Sequence, residues 1–311
     1  SNFIRYILNK DDDYHITNID KLTYCGNLEN LKSLDKNENY KFVQGDIADA
    51  DLVNRLVKKC DIVINFAAET HVDRAIYDAG SFIKTDVYGT FILLSCAKRR
   101  KIKRFIQIST DEVYGSIDKG SFSEDSPLNP RNPYSASKAG ADNLALSFFA
   151  TYNLPVTITR SSNNFGPYQH PEKLIPLFIT NLLEDKKVPL YGDGKNVRDW
   201  IFVLDNCRAI DRIMHKGKNG QVYNIAGNNE KQNIEIVDSI VKELNKDKSY
   251  IEYVTDRLGH DRRYSIKCKK IRELGWEPKH NFEESLKVTI DWYKKNTFWW
   301  KKLKTNFERK K

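Results

Sequence analysis

The sequence predicts an α/β protein: a doubly wound parallel sheet followed by a smaller α/β domain. Two observations carry this. In the first half, short apolar, β-branched runs alternate with amphipathic segments at helical spacing; after about Ser161, Gly and Pro punctuate shorter elements. Strands separated by helices need crossover connections, and these set the strands parallel. Phe3, Ile4, Ile7 and Leu8 open the chain at helical spacing. Tyr14 to Asp20 reads as a strand ending in an acid, and Tyr40 to Gln44 as another. Asp51 to Lys59 is a helix with Leu52, Leu56 and Val57 on one side. Asp61 to Phe66 is almost continuously apolar, as a buried strand would be. Ser81 to Arg100 reads as one long helix, Arg104 to Ile108 as a strand, Tyr134 to Tyr152 as a helix and Val156 to Thr159 as a strand. Arg198 to Val203 and Gln221 to Ala226 are strands of the second part. The expected division is residues 1–160 and 161–311, with some segments shared between the two.

A sheet of this kind begins with a strand, then a glycine-rich turn, then a helix. Here Ser1-Asn2-Phe3-Ile4 already reads as helix. The first strand is therefore expected to be missing from this sequence, with roughly a dozen residues, including a GxxGxxG-like turn, upstream of Ser1.

Composition narrows the function. With 40% hydrophobic and 12% aromatic residues in 311, the chain can bury a core and is not disordered. No apolar run approaches the roughly 20 residues of a membrane span. No basic-then-apolar leader opens the chain, and Cys25, Cys60, Cys96, Cys207 and Cys268 are scattered without a CxxC pair. A cytoplasmic protein without a structural metal is expected. The net charge of +9 admits an anionic partner. Basic residues cluster only at Lys301, Lys302, Lys304, Arg309, Lys310 and Lys311, as on a solvated terminus, so no nucleic-acid partner is expected.

The sharpest local signal is Tyr134-Ser135-Ala136-Ser137-Lys138. Residues i and i+4 share a helix face, so phenol and ammonium meet in one place. A nearby cation favours the phenolate, which lets a tyrosine act as a base. The same spacing also occurs on ordinary solvated helices. Ile108-Ser109-Thr110-Asp111-Glu112-Val113-Tyr114-Gly115 strengthens the catalytic reading, because it follows a strand, where open α/β sheets gather their catalytic groups. Two adjacent carboxylates there can divide acid and base duties if their environments differ. The bland alternative is a loop in which Thr110 or Asp111 caps a helix.

These motifs resemble the extended short-chain dehydrogenase/reductase family, a Rossmann fold, and within it the dTDP-glucose 4,6-dehydratases. The resemblance runs nearly end to end, through Asp20-Lys21-Leu22-Thr23-Tyr24, Gly45-Asp46-Ile47 and Phe66 to Arg74, then Ser109 to Gly115 and Tyr134 to Lys138. It continues through Ser162 to Tyr168, Pro171 to Pro176, Gly192-Asp193-Gly194, Arg198-Asp199-Trp200 and Gly259 to Tyr264. YxxxK marks the superfamily, whereas Thr110-Asp111-Glu112 with Ser162-Asn163-Asn164 and the Pro171–Pro176 run is far more specific. Thr70 stands where serine is usual, Asp86 where asparagine is usual, and Leu258 where proline is usual; the last bears on the loop that carries Arg257 and His260.

The resemblance implies an NAD-dependent hydro-lyase acting on a nucleotide-diphosphate sugar, as a homodimer built through Ser81 to Arg100 and Tyr134 to Tyr152. Matching positions imply NAD contacts at Asp20, Lys21, Thr23, Asp46, Ile47, Ala67, Ala68, Glu69, Thr85, Tyr134, Lys138 and Asn164. Substrate contacts are implied at Thr70, Thr110, Asn163, Lys173, Leu174, Pro189, Tyr191, Arg198, Asn233, Arg257 and His260. The implied catalytic set is Thr110, Asp111, Glu112, Tyr134 and Lys138. Residues 1–160 become the NAD-binding domain and 161–311 the nucleotide-sugar domain. Another nucleotide-sugar 4,6-dehydratase, acting on a UDP- or GDP-sugar, is the nearest alternative. A 4-epimerase would need the Tyr–Lys pair but not the paired carboxylates, and a non-catalytic NAD-binding regulator would need neither.

Overall fold

A computed structural model describes residues 1–10 and 13–308. Arg309, Lys310 and Lys311 of the terminal basic cluster lie outside the described residues. The first half runs α1 (Asn2–Lys10), β1 (Ile16–Asp20), β2 (Tyr40–Gln44), α2 (Ala50–Val57), β3 (Ile62–Asn65), α3 (Val72–Tyr77) and α4 (Ala79–Phe82). After a π-helical stretch, Ile83–Gly89, come α5 (Thr90–Arg100), β4 (Arg104–Thr110), α6 (Pro133–Tyr152) and β5 (Val156–Ser161). The second half adds β6 (Asn163–Phe165), α7 (Leu174–Leu183), β7 (Val188–Tyr191), β8 (Val197–Phe202), α8 (Val203–Lys216) and β9 (Val222–Ile225). It ends with β10 (Glu230–Gln232), α9 (Asn233–Glu243), β11 (Ile251–Val254), α10 (Lys269–Glu273), α11 (Phe282–Lys295) and α12 (Thr297–Glu308).

Four strands form a parallel sheet in the order β3-β4-β5-β9, and β1 and β2 form a separate parallel pair. Successive residues of a strand face opposite sides, and β4 shows the consequence. Phe105 packs with Val156, Ile158 and the buried faces of α5 and α6, while its neighbour Ile106 packs with Ile210, Ile213 and Ile225. Helices therefore cover both faces, which is the doubly wound, Rossmann-type arrangement expected. β9, from the second half of the chain, completes this sheet beside β5. A third apolar cluster joins β7 and β8 to α7, α9 and α11, with Trp200, Phe282, Tyr293 and Trp300 buried in it. There β8 pairs with β6 and β10, and β7 with β11.

Two elements differ from expectation. The helix expected from Ser81 to Arg100 is interrupted by the seven-residue π stretch, whose wider turn brings Asp86 into the interior. Its carboxylate accepts from the Glu69 amide at 2.9 Å and lies 2.6 Å from the Ser137 hydroxyl, which offsets the poorer backbone geometry. The strand expected to be buried, Asp61 to Phe66, is shorter, and Ile62, Val63 and Ile64 are only half-buried. Among the described residues β3 has a hydrogen-bonded neighbour on one side only, so its other flank is open.

Candidate active site

The carboxyl ends of β1, β3, β4 and β5 carry Asp20, Asn65, Thr110 and Ser161, and the catalytic residues expected from the sequence gather beyond the end of β4. Thr110 keeps an extended backbone, and its Oγ1 accepts the Glu112 amide at 3.2 Å. That caps a short 3-10 turn, Asp111–Tyr114, so the capping alternative and the site coexist. Gly115 closes the turn with φ +82°, and a Cβ there would lie 2.4 Å from the Asn129 carbonyl oxygen, so only glycine fits. The two acids leave the turn into different surroundings. Asp111 is 3% exposed, and its Oδ2 has no hydrogen-bond partner. Burial first, then the charge of Glu112, pushes its carboxyl well above the ordinary range. Glu112 is half-buried, with Oε2 3.5 Å from the Tyr264 hydroxyl. The two acids therefore sit in unlike surroundings, one sealed and one partly open.

Opposite them stands α6. Its start is fixed by a reciprocal cap, in which Asn132 Oδ1 accepts the Ser135 amide at 2.9 Å and Ser135 Oγ accepts the Asn132 amide at 3.2 Å, with Pro133 in the first turn. Tyr134, Lys138 and Asp142 follow at i, i+4 and i+8 on one buried face. Burial raises the Tyr134 phenol, and the charges of Glu112 and Asp86 raise it further; a hydrogen bond with Thr110 opposes them. Lys138 Nζ donates to the Ile108 carbonyl at 2.6 Å. Burial lowers the ammonium, while Asp86 and Asp142 favour its charge. Asp142 accepts from Arg160 Nε at 2.9 Å, and Arg160 Nη1 donates to the Tyr114 hydroxyl at 2.9 Å. A buried phenol, a buried lysine, a buried acid with its carboxyl raised and a half-buried second acid are therefore held close together.

Of the residues expected to meet a dinucleotide, Asp20 ends β1 with an exposed carboxylate that accepts the Leu22 amide at 2.7 Å. Lys21 and Asp46 form an ion pair at 2.8 Å, Thr23 is exposed, and Ile47 is buried under Gly89. Ala67, Ala68 and Glu69 form the loop after β3, with the Ala67 amide held by Asn65 Oδ1 at 3.2 Å. Thr85 lies half-buried in the π stretch, and Asn164 has a buried Oδ1 without a hydrogen-bond partner.

The residues expected to meet a sugar nucleotide come from eight segments. Lys173 Nζ donates to the Thr70 carbonyl at 2.9 Å, and Leu174 begins α7. The Oδ1 atoms of Asn163 and Asn233 and the Nε of Arg257 are buried without hydrogen-bond partners. Arg257 Nη1 lies 3.8 Å from Asp73, and His260 Nδ1 is 2.6 Å from Asp256. Burial lowers His260 to about 4, leaving it neutral. The Tyr191 ring packs edge-on against His260, two strand positions beyond Pro189 in β7. Leu258 is 77% exposed, so its substitution for proline disturbs no packing. Arg198 is more buried than the sequence suggested. Its guanidinium stacks 4.1 Å from the Tyr264 ring and donates to the carbonyls of Val197 at 2.7 Å and Asp261 at 2.9 Å.

A family model described as GDP-mannose 4,6 dehydratase matches residues 1–289. Low-salt glycan biosynthesis protein Agl12 of Haloferax volcanii is 51% identical over 94% of this chain and 94% of its own length. A dTDP-glucose 4,6-dehydratase of Streptomyces niveus is 48% identical over 93% of this chain and 87% of its own. The crystal structure of DesIV, a dTDP-glucose 4,6-dehydratase of Streptomyces venezuelae solved with NAD bound, matches with a TM-score of 0.95 at 47% identity. That match covers 97% of this chain and 95% of the other. The chain belongs to the dTDP-glucose 4,6-dehydratase family, within the extended short-chain dehydrogenases/reductases.

Within this dehydratase fold several polar groups escaped the sequence reading. Asp142 was signalled only by its i+4 spacing from Lys138, and Arg160 by nothing local. Tyr264 lies in a motif shared with the family, but its place beside Glu112 and under Arg198 needs the folded chain. Glu172, beside Lys173, accepts from the Tyr24 hydroxyl at 2.9 Å and has His71 and His170 within 4 Å, so it links the loop after β1 to the loop before α7. Burial holds His71 near about 3 and His170 near about 4, so both are neutral. Among the described residues no cluster of three or more His, Cys, Asp or Glu could hold a metal ion. No described helix is long and apolar enough to cross a membrane.

Proposed function

We propose that this protein converts dTDP-glucose to dTDP-4-keto-6-deoxyglucose, with residues 1–160 serving NAD and 161–311 the nucleotide sugar. The observation that carries this is the buried Asp111, its carboxyl raised by burial, beside the half-buried Glu112, with both acids acting on the Tyr134 phenol. Tyr134 and Lys138 alone would serve a 4-epimerase; an adjacent acid and base are what elimination across C5 and C6 requires. The donor set fits NAD: an exposed acid ends β1, Asn164 just past β5 has an orphaned Oδ1, and Lys138 Nζ reaches the Ile108 carbonyl near the carboxyl end of β4. NAD, when bound, supplies the hydride acceptor for C4 and the donor that returns the hydride to C6. Tyr134, once it has released its own proton with the Lys138 charge favouring the phenolate, takes the proton of the 4-hydroxyl as the hydride leaves, with Thr110 hydrogen-bonding near the 4-oxygen. The 4-keto group acidifies the C5 proton, which Glu112 removes. Asp111 gives its proton to the departing 6-hydroxyl. The test is incubation with NAD and dTDP-, UDP- or GDP-glucose, following the 4-keto product; formation from the dTDP-sugar is expected to dominate.

Substrate binding is assigned to Lys173, Asn163, Asn233 and Arg257, the last three with buried polar atoms free for a ligand, and to Arg198, whose buried guanidinium on Tyr264 is the proposed counter-charge for the diphosphate. Arg198→Ala is expected to weaken nucleotide-sugar binding by roughly 1.5–3 kcal/mol, as loss of a charge-assisted contact does. NAD affinity should hardly move. Calorimetric titration of both ligands reads this directly, and equal losses for the two would remove Arg198 from the sugar side.

The homodimer and the cytoplasmic location belong to the same reading. Tyr88, Phe91 and Tyr152 are 49%, 40% and 50% exposed, and their rings join Phe148 in a continuous ladder across the π stretch, α5 and α6. An apolar face of that kind fits a second copy of the chain. Phe91→Asp should shift sedimentation from dimer to monomer. The five free cysteines suit a reducing compartment.

A further inference from the structure

We propose that Asp86 is a positioning residue for the tyrosine–lysine pair, setting their protonation through its buried negative charge as well as through its hydrogen bonds. This rests on the redox role proposed for that pair. Asp86 is 1% exposed, on the inner side of the π stretch. Its Oδ1 accepts the Glu69 amide at 2.9 Å, which ties down the loop after β3. Its Oδ2 lies 2.6 Å from Ser137 Oγ, on the helix that carries Tyr134 and Lys138.

The Ser137 hydroxyl also lies 2.8 Å from the Tyr134 carbonyl oxygen, so its single proton has two acceptors in reach. With Asp86 ionised, Ser137 donates to the carboxylate. With Asp86 protonated, the acid donates to Ser137, and Ser137 donates to the Tyr134 carbonyl. Every group keeps a partner in both states, so the charge can change while α6 stays in place. An asparagine would satisfy the same geometry, accepting from Glu69 through Oδ1 and donating to Ser137 through Nδ2. What the acid adds is charge, and burying charge without a direct ion pair is costly.

The charged and titratable groups facing Asp86 are Lys138 and Tyr134 from α6 and Glu69 from the loop after β3. Beyond them, Asp142 with Arg160 acts on Lys138, and Glu112 and Asp111 act on Tyr134. Against this background the Asp86 carboxylate does two opposite things. It favours the Lys138 ammonium and disfavours the Tyr134 phenolate. Burial is the larger cause on both, lowering Lys138 and raising Tyr134; Asp86 opposes the first and adds to the second.

Asp86→Asn tests this, because it keeps the hydrogen bonds and removes the charge. The first measurement is thermal denaturation of the ligand-free protein against pH. Burial raises the Asp86 carboxyl, so the wild type is expected to lose stability as pH rises through that raised value, a loss that Asp86→Asn lacks. The melting-temperature advantage of Asp86→Asn over wild type should therefore grow between mildly acid and neutral pH. A gap that stays flat across that range would overturn the proposal. The second measurement is single-turnover oxidation of C4 against pH. Removing a nearby negative charge makes the phenolate easier to form, so the acid limb should move down by roughly half to one pH unit, a three- to tenfold faster step below the limb. An unmoved limb, or one that moves up, would likewise overturn it. Asp86→Ala strands the Glu69 amide and should lose stability at every pH. Failure of the wild type to oxidise any nucleotide sugar would count against the dehydratase reading, and the ligand-free denaturation would still judge Asp86.

Discussion

Glu112→Gln is expected to stop the reaction half-way. Oxidation at C4 depends on Tyr134, Lys138 and NAD, and this substitution leaves all three. Glutamine keeps the size of the side chain and an oxygen for the Tyr264 hydroxyl, now 3.5 Å away. It cannot take a proton from C5, and loss of a positioned general base typically costs roughly 10²–10⁴ in rate. The variant should build up reduced nicotinamide together with a 4-keto hexose that keeps its 6-hydroxyl. The Asp111 carboxyl should stay raised, because burial is the larger cause of its shift and the charge of Glu112 the smaller. Tyr134→Phe fails earlier, since no group then takes the 4-hydroxyl proton, and no reduced nicotinamide should appear. Absorbance of the reduced ring in a single turnover separates the two variants. A Glu112→Gln protein forming 6-deoxy product at the wild-type rate would remove Glu112 as the base and return the epimerase reading to contention.

The elements that place these residues were legible because each has its own local signal. Local apolar pattern located β2, α6 and β5 to within a residue or two, since β2 varies between half-buried and exposed positions, α6 buries one face and β5 is buried throughout. The Thr110-Asp111-Glu112 turn was legible for a different reason: a hydroxyl and two acids after a strand satisfy both a cap and a proton-transfer site. What the sequence hid was partnership across the fold. A π stretch differs from an α-helix only in how its backbone closes, and Ile83 to Gly89 carries no Pro or Gly pair to announce it. Arg198 reads as a free anion-binding charge until the fold sets it on Tyr264 and the 261–262 backbone. Tyr264 itself is reached only through a long connection, 152 residues from Glu112. Such contacts leave no period in a sequence.

The largest stability effect is expected at Arg160→Met. Arg160 and Asp142 are 3% and 0% exposed, and their ion pair at 2.9 Å is sealed from water. Methionine fills part of the space and leaves Asp142 charged, buried and without its partner. Breaking a buried pair on one side costs about 3–5 kcal/mol, because the remaining charge keeps its desolvation penalty. The dependence on pH has a definite sign. Burial already raises Asp142 in the native protein, and Arg160 is the group that most opposes the rise. Without Arg160 the carboxyl rises further, so the folded variant holds its proton over a pH range in which the unfolded chain has released it. Stability then falls as pH increases through that window. Arg160→Met should therefore be least damaging in mild acid and most damaging near neutrality, as read by denaturant melts at several pH values. Adding Asp142→Asn should recover much of the loss, because the stranded charge is gone. The coupling reaches the active site, since Asp142 lies one turn beyond Lys138 and favours its ammonium. The single variant should thus also bias the Tyr134–Lys138 pair, while the double variant removes that bias along with the charge. A single variant as stable as the wild type at neutral pH would mean that Asp142 is already protonated there and that the ion pair contributes nothing.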